Sequence, residues 1–289
     1  METRELRYFV AVAEELHFGR AAQRLGIAQP PLSRAIQQLE RRLGSALLER
    51  GHRGITLTEA GSVLLREGRA ALDAVAAADR RTRRAALAAA GRPGVVLVTK
   101  AGASGALLAR LLDAYAAQPD ATAVDVQLCG IGEQEQLLRD GRADVALLHR
   151  PFDAAAGFDT EELLTEGQVA VLPAGHSLAA RTELRMADVA DLPGLPAPRW
   201  PGPGGYPDGP GPAVRDHTQL LQLIALGRTS AVLPASCRAQ LPGDLAAVPV
   251  LDAPTVTTVI AWPPHSRSRA VAGLVRAATR LSYTAEVSR

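Results

Sequence analysis

The chain has 289 residues, a formal net charge of +2 at pH 7 and 47% hydrophobic residues, enough for two or three ordinary domains with cores of their own. Its two cysteines, Cys129 and Cys237, stand far apart, which excludes a disulfide framework and a paired-cysteine metal site, and no apolar run reaches the roughly 18 residues that a membrane helix needs. The charge is uneven: residues 1–90 carry 15 arginines against ten acidic residues, and a basic front is a weak pointer to nucleic acid.

The opening segment, METRELRYFVAVAEEL, mixes charge with apolar residues and has no export pattern, so a cytoplasmic protein without membrane association is expected. Leu6, Phe9, Val10, Ala13 and Leu16 recur at steps of three and four, the stripe of an amphipathic helix. Gly19 then serves as the N-cap of a short second helix with Ala21, Ala22 and Leu25 inside, and Gly26 ends it. Pro30 and Pro31 open a third helix, because proline in a first turn removes no hydrogen bond the helix would make. Leu32, Ile36, Leu39 and Leu43 face inward along it, which leaves Ser33, Arg34, Gln37 and Arg41 on the polar side.

Two short helices joined by a glycine-bearing turn make a helix-turn-helix, and the second can enter a major groove. Arginine pairs with guanine and glutamine with adenine through two bonds each, while Ser33 and the free amides of a helix start suit a phosphate. Any helical hairpin exposes polar residues, and that alternative stays open here. In LLERGHRGITLTEAG, residues 47–61, Leu47, Leu48, Ile55 and Leu57 flank the turn Gly51 to Gly54. This predicts a β-hairpin wing with Arg50, His52 and Arg53 near its tip, placed for backbone phosphates, a solvated basic turn being the other reading. Thr58 caps a helix that runs without proline to about Ala90. A helix of that length needs a partner, so a subunit seam is expected along Val63, Leu64, Leu72, Val75, Ala76 and Leu87. The DRRTRR run at 79–84 reads as a solvated face.

The segment ELRYFVAVAEELHFGRAAQRLGIAQPPLSRAIQQLERRLGSALLERGHRGITLTEAG resembles, nearly position by position, the winged helix-turn-helix of LysR-type transcriptional regulators. The likeness is specific over residues 4–61 and architectural beyond. It implies that Gln29, Pro30, Pro31, Ser33, Arg34 and Gln37 lie at the DNA-facing end of the recognition helix, that Arg50 and Arg53 belong to the wing, and that the helix from Thr58 pairs two subunits. Gly19 stands where the family usually shows Ser or Thr, which should weaken the second helix's cap. The implied partners are promoter or operator duplex DNA, a small-molecule effector, a second copy of the chain in a dimer or a dimer of dimers, and RNA polymerase.

GRPG at 91–94 breaks the long helix. Apolar or β-branched runs follow at 95–98, 124–128, 144–148, 168–172, 230–233, 248–250 and 256–261, with helical patterns at 106–117, 133–140, 216–226 and about 268–283. Such alternation predicts a mostly parallel sheet with covering helices, and ligands in such sheets bind beyond the carboxyl ends of strands. The loops there offer Lys100, Gly102 and Ser104, then Gly130 and Ile131, then His149 and Arg150, with Arg199, Trp200, His217 and Thr218 further on. Lys100 and the helix start beside it favour an anion. The family resemblance implies two subdomains like those of periplasmic binding proteins, hinged by strands near 167–171 and 256–261, with the effector in the cleft. It also suggests that Gly102 stands where a ligand-binding Ser or Thr is common, with Ser104 displaced from it, so a different effector contact is expected. WPGPGGYPDGPGP, residues 200–212, is ten Pro or Gly in thirteen and reads as a mobile or extended loop.

No catalytic motif emerges. G-A-S-G at 102–105 lacks the spacing of G-x-S-x-G, GIGEQE is a fragment of a dinucleotide fingerprint, and the six histidines lack ligand spacing. A solute-binding protein would leave the front ninety residues unexplained, and a purely architectural DNA-binding protein would leave the hinged rear without a use. The expected architecture is therefore a multidomain α+β and α/β chain. It comprises a winged helix-turn-helix over 1–57, a dimerisation helix over 58–90 and a two-subdomain α/β effector region over 91–289. Subdomain I covers about 91–166 and 257–289, and subdomain II about 167–256. The expected function is transcriptional regulation with no enzymatic activity, no cofactor and no metal.

Overall fold

The computed structural model describes residues 1–51, 54–89, 94–202, 205–264 and 266–287, and side chains within these except at 50, 51, 85, 87–89 and 282–287. Two units hold together internally, one of residues 1–82 with 139–141 and one of 83–138 with 142–289.

The first unit begins with α1 (Thr3–Glu15), α2 (Phe18–Leu25) and α3 (Gln29–Leu43). Glu5 ties the start of α1, accepting the Glu2 N–H at 2.7 Å, as a carboxylate at the third helical position does. The stripe of Leu6, Phe9, Val10 and Ala13 is buried as its spacing predicts, and so are Ala11 and Val12, because α2 and α3 pack on α1 while Leu6 and Val10 also face Gly68. Leu16 departs from the expected stripe: it is the C-cap of α1, at φ 46°, and is 43% exposed. Leu43 departs likewise, since Gly44 at φ 65° ends α3 there and the buried run stops at Leu39. Phe9, Val12, Phe18, Ala21, Leu32, Ile36 and Leu39 form one core.

A hairpin follows, β1 (Leu48–Gly51) and β2 (Gly54–Leu57), antiparallel with Leu48 opposite Leu57. Then comes α4 (Glu59–Ala89). Thr58 caps it as its sequence predicts, accepting the Gly61 N–H at 2.9 Å while its hydroxyl donates to Ala46 O at 2.8 Å.

The second unit holds two sheets. The first, in the order β4-β3-β5-β10-β6, contains β3 (Gly94–Lys100), β4 (Ala123–Cys129), β5 (Val145–Arg150), β6 (Asp159–Glu166) and β10 (Val256–Trp262). Helices α5 (Gly105–Ala116), α6 (Gln134–Arg139) and α9 (Arg269–Val287) accompany it. Side chains alternate across its strands: Val95, Leu97, Val145, Leu147 and Ile260 enter one core with Leu111 and Leu274, whereas Val98, Ala146, Leu148, Val259 and Ala261 enter the other with Leu137 and Leu138. The second sheet, β8-β7-β9, contains β7 (Gln168–Pro173), β8 (Ala231–Pro234) and β9 (Leu245–Val250), with α7 (Met186–Val189) and α8 (His217–Ala225).

The sheets are less parallel than the alternation predicts. β3 pairs in parallel with β4 and β5, but β10 runs antiparallel to β5 and β6, and both pairings in the second sheet are antiparallel. The chain leaves the first lobe through β6 and returns through β10, so the two crossing strands must oppose one another. Only Gly167 separates β6 from β7, and the Gln168 amide donates to Pro254 O at 2.8 Å, which fastens one crossing to the other. β6 itself, DTEELLTE, was not expected: four of its eight residues are acidic and only Leu163 is buried, the pattern of an edge strand.

Candidate DNA interface and effector cleft

Pro30 and Pro31 occupy the opening turn of α3, whose N-cap, Ala28, makes no side-chain bond. The first turn is thus set by the fixed proline φ and leaves its remaining amides free. Gln29, Pro30, Pro31, Arg34 and Gln37 are exposed and Ser33 is half-buried, whereas Leu32, Ile36 and Leu39 are buried.

The arginines of this unit divide into two groups. Arg42 grips Glu5 through both nitrogens, at 2.9 and 2.6 Å. Arg24 and Arg69 each lie 2.7 Å from Glu14, and Arg20 lies 3.4 Å from Glu15. The Arg42 hydrogen bond and the Glu2 N–H hold the Glu5 carboxyl down at about 2. Burial pushes the Glu14 carboxyl up, but Arg69 and Arg24 hold it below the ordinary carboxylate value. The side chains of Arg34 and Arg41, by contrast, form no ion pair or hydrogen bond among the described residues. Neither do Ser33 and Gln37. These side chains are available to an outside partner.

The α2 cap is a correction to the sequence reading. His17, not Gly19, is the N-cap: its Nδ1 accepts the Arg20 N–H at 3.2 Å. Gly19 lies inside the first turn, where a Cβ would fall 2.9 Å from His17 Cε1. Glycine there makes room for the imidazole, and the missing Ser or Thr costs the helix no cap.

Glu40 aligns the wing with α3. Its Oε1 accepts the Leu47 and Leu48 N–H groups at 2.9 and 3.2 Å. Because both residues are buried, Glu40→Ala leaves two amides without partners and is expected to cost about 1–3 kcal/mol. The check is amide exchange, with protection falling first at residues 46–51 and 54–57. The Arg50 backbone pairs with Ile55; its side chain, His52 and Arg53 lie outside the described residues.

In the second unit, the loops after β3, β4 and β5 meet. Lys100 is opposite Cys129 across the β3–β4 pair, and the Ala101 N–H donates to Cys129 O at 3.1 Å. Gly130 and Ile131 follow, the Gly130 N–H donating to Glu133 at 2.8 Å. Ser104, the N-cap of α5, has φ 54° and ψ 23°, and its Oγ lies 2.7 Å from His149 Nε2. Lys100 Nζ is 2.9 Å from Asp153. Asp153 also accepts the His149 backbone N–H at 2.8 Å and the Gln134 amide at 3.4 Å. Thr99 Oγ1 and Gln134 Oε1 are buried without a hydrogen-bond partner.

The second lobe reaches this loop at two glycines. A Cβ on Gly102 would fall 2.7 Å from His217 Cβ, and one on Gly105 would fall 2.5 Å from the Gln240 amide nitrogen. His217 Nε2 is buried with no hydrogen-bond partner, and burial lowers the pKa of the ring. Lys100, Gly102, Ser104, Gly130, Ile131, His149 and His217 therefore gather around the adjoining strand ends and the facing lobe.

Arg150 and Arg199 have different tasks. Arg150 pairs with Glu162. Arg199 donates to Gly211 O at 2.7 Å and to Pro207 O at 3.1 Å, with its backbone bonded to Pro212 and Val214. The proline- and glycine-rich segment is consequently laced to Arg199 where it is described, not free. Lys100 and Arg150, on which an anion would rely, are each matched by a carboxylate. Sequence reasoning missed Asp153, Gln134 and Thr99. Asp153 had one available signal, standing four residues after His149.

An exposed helix start with a wing, followed by a two-lobed module with a polar cluster between its lobes, defines a one-chain regulator that joins a DNA reader to a small-molecule receptor. Comparison with known proteins gives the family. Residues 3–62 match the profile described as bacterial regulatory helix-turn-helix protein, lysR family, and residues 95–281 match the LysR substrate binding domain. The chain belongs to the LysR family: it is a DNA-binding transcriptional regulator with an effector-binding domain, and not an enzyme. The uncharacterized HTH-type transcriptional regulator YnfL of Escherichia coli is 34% identical over 280 residues, spanning 92% of this chain and 93% of that one. The crystal structure of CbnR, a LysR family transcriptional regulator, matches with a TM-score of 0.59 at 26% identity, covering 98% of this chain and 99% of the other. Full-length CbnR complexed with its target DNA matches with a TM-score of 0.58 at 26% identity, covering 97% and 100%. Among the described residues, no helix is long and apolar enough to cross a membrane, and no three His, Cys, Asp or Glu side chains gather to hold a metal.

Proposed function

We propose that the opening of α3 enters the major groove, with Gln29, Ser33, Arg34 and Gln37 towards the bases, Pro30 and Pro31 against the backbone, and Arg50 and Arg53 of the wing on flanking phosphates. The observation that carries this reading is the set of exposed, uncommitted side chains on α3, in contrast to Arg20, Arg24, Arg42 and Arg69, which are ion-paired. The CbnR complex with DNA supports it by analogy. Two copies join along α4, whose Val63 and Val75 are 44% and 46% exposed, and at 31 residues it spans about 46 Å. Pairs of dimers then contact promoter DNA in the cytoplasm beside RNA polymerase. A small effector enters between the lobes near Gly102, Ser104, Gly130, Ile131, His149 and His217, and shifts their closure.

Arg34→Ala is expected to weaken specific binding by about 1–3 kcal/mol and to relax the choice of base at one position. Fluorescence anisotropy with the duplex upstream of the chain's own gene and with a random duplex checks this at several salt concentrations. Equal losses on both duplexes would reduce Arg34 to a phosphate contact. Absence of any preference between the duplexes in the unmodified protein would overturn the reading.

A further inference from the structure

The carboxyl ends of β3 and β5 are neighbours, and a line of side chains runs between their loops. Ser104 Oγ is 2.7 Å from His149 Nε2. On the far edge of the ring, His149 Nδ1 faces Asp153 Oδ2 at 3.5 Å, longer than a good hydrogen bond, and it is buried with no other hydrogen-bond partner. The partners of Asp153, Lys100 Nζ, the His149 N–H and the Gln134 amide, are all donors. Burial alone would push this carboxyl up; His149 and Lys100 outweigh it and hold the group below the ordinary carboxylate value. Asp153 is therefore a fixed negative charge, with its side chain only 6% exposed.

That charge decides which ring nitrogen carries the proton. A neutral imidazole has one N–H and one lone pair. A lone pair at Nδ1 would face the carboxylate and be repelled, whereas an N–H there is attracted, so in the neutral ring the Asp153 charge favours the proton on Nδ1 and leaves Nε2 to accept. Ser104 must then donate to Nε2. With its single hydrogen committed, Ser104 Oγ can offer a ligand only lone pairs. The geometry is enforced: Ser104 is a non-glycine residue with positive φ, a conformation that persists where the surroundings impose it. Ser104 is also half-buried, so it can still be reached, while His149 beneath it is buried.

We propose that Ser104 is a hydrogen-bond acceptor towards the effector, with His149 and Asp153 as its positioning residues, so that the cleft selects a hydroxyl or amino group at this point and disfavours a carboxylate. The inference rests on the effector reading of the cleft and fixes the polarity of one contact within it. A carboxylate here would set oxygen lone pairs against oxygen lone pairs, and Lys100 cannot offset this because Asp153 already matches its charge.

Two measurements on the full chain test the proposal. Histidine-selective nitrogen-15 NMR, with the His149 signals assigned by their loss in His149→Gln, should report the Nδ1–H tautomer. Calorimetric titration should use phenol, aniline, anisole and benzoate, together with cyclohexanol, cyclohexylamine, methoxycyclohexane and cyclohexanecarboxylate. The hydroxyl or amino member of a set should bind at least about tenfold more tightly than its methoxy and carboxylate counterparts. Ser104→Gly keeps the positive φ while removing the hydroxyl, and should narrow the gap to below about threefold; Ser104→Ala provides a second variant. An Nε2–H tautomer, or a carboxylate preference that Ser104→Gly abolishes, overturns the polarity and leaves the cleft reading standing. A preference that neither variant changes places the discriminating contact elsewhere and overturns the assignment. No binding by any probe, with the Nδ1–H tautomer observed, removes the effector reading and the proposal with it.

Discussion

Asp153→Ala is expected to destabilise the two-lobed unit by about 3–5 kcal/mol at pH 7, the cost of removing one member of a buried ion pair. The side chain of Lys100 is 15% exposed and would keep its charge with no carboxylate opposite. The His149 N–H and the Gln134 amide would also lose their acceptor. Asp153→Asn should recover only the part due to hydrogen bonding, because Lys100 would still face a neutral group. The pH dependence has a definite sign. The Asp153 carboxyl is lowered in the folded protein, so its stabilisation is fully present above the unfolded value of about 3.9 and disappears as pH falls from there through the lower folded value. Both tryptophans, Trp200 and Trp262, lie in this unit, so urea unfolding followed by tryptophan fluorescence reports on it directly. A midpoint difference between wild type and Asp153→Ala that is small at pH 7, or that does not shrink as pH falls below the unfolded value of about 3.9, would show that the pair is not the origin of the effect.

How far each part could be foreseen depended on whether its cause was local. Phe9, Leu32, Ile36 and Leu39 declare themselves by helical spacing, and β3, β5 and β10 by apolar runs, because a buried face imposes its period on the sequence. β6 has no such period: as an edge strand it buries Leu163 alone, so its acidic residues concealed it. Leu16, the C-cap of α1, and Leu43, the last residue of α3, continue a stripe to the helix end, where periodicity cannot register that the cap turns the chain. The cap on α2 was misplaced because histidine is not among the usual capping residues, and spacing alone does not show that the His17 ring folds over Gly19 to reach the Arg20 N–H. At the cleft, the strand-end rule brought Lys100, Ser104 and His149 forward as candidates. It could not reveal that Ser104 and His149, 45 residues apart, touch each other, nor that Lys100 is already matched. Both facts follow from β3 and β5 lying side by side in the sheet, which is a property of topology.

Phe9→Ala should cost the DNA-reading unit about 3–5 kcal/mol, the usual loss for a fully buried aromatic ring. Phe9 is 0% exposed, at the centre of a core that includes Val12, Phe18, Leu32, Ile36 and Leu39. The ring thus supports the inner face of the helix whose outer face carries Ser33, Arg34 and Gln37. A winged reader of some 57 residues has roughly 3–9 kcal/mol of stability at the usual 0.05–0.15 kcal/mol per residue, so the variant would forfeit between a third and all of it. DNA affinity should fall with the folded fraction and recover partly at high DNA concentration, because a ligand that binds only the native state draws the equilibrium back. Arg34→Ala should do neither: it leaves the core intact and its loss should not be rescued by stabilising the fold. Amide exchange at residues 6–39 separates the cases, with protection collapsing in Phe9→Ala and unchanged in Arg34→Ala. The unfolding reported by Trp200 and Trp262 should move by less than about 0.5 kcal/mol in either variant, as expected for distant, independent sites. Loss of DNA binding in Phe9→Ala with full exchange protection would mean that the ring acts on the interface itself, and the division between a buried scaffold and an outward reading face would then have to be abandoned.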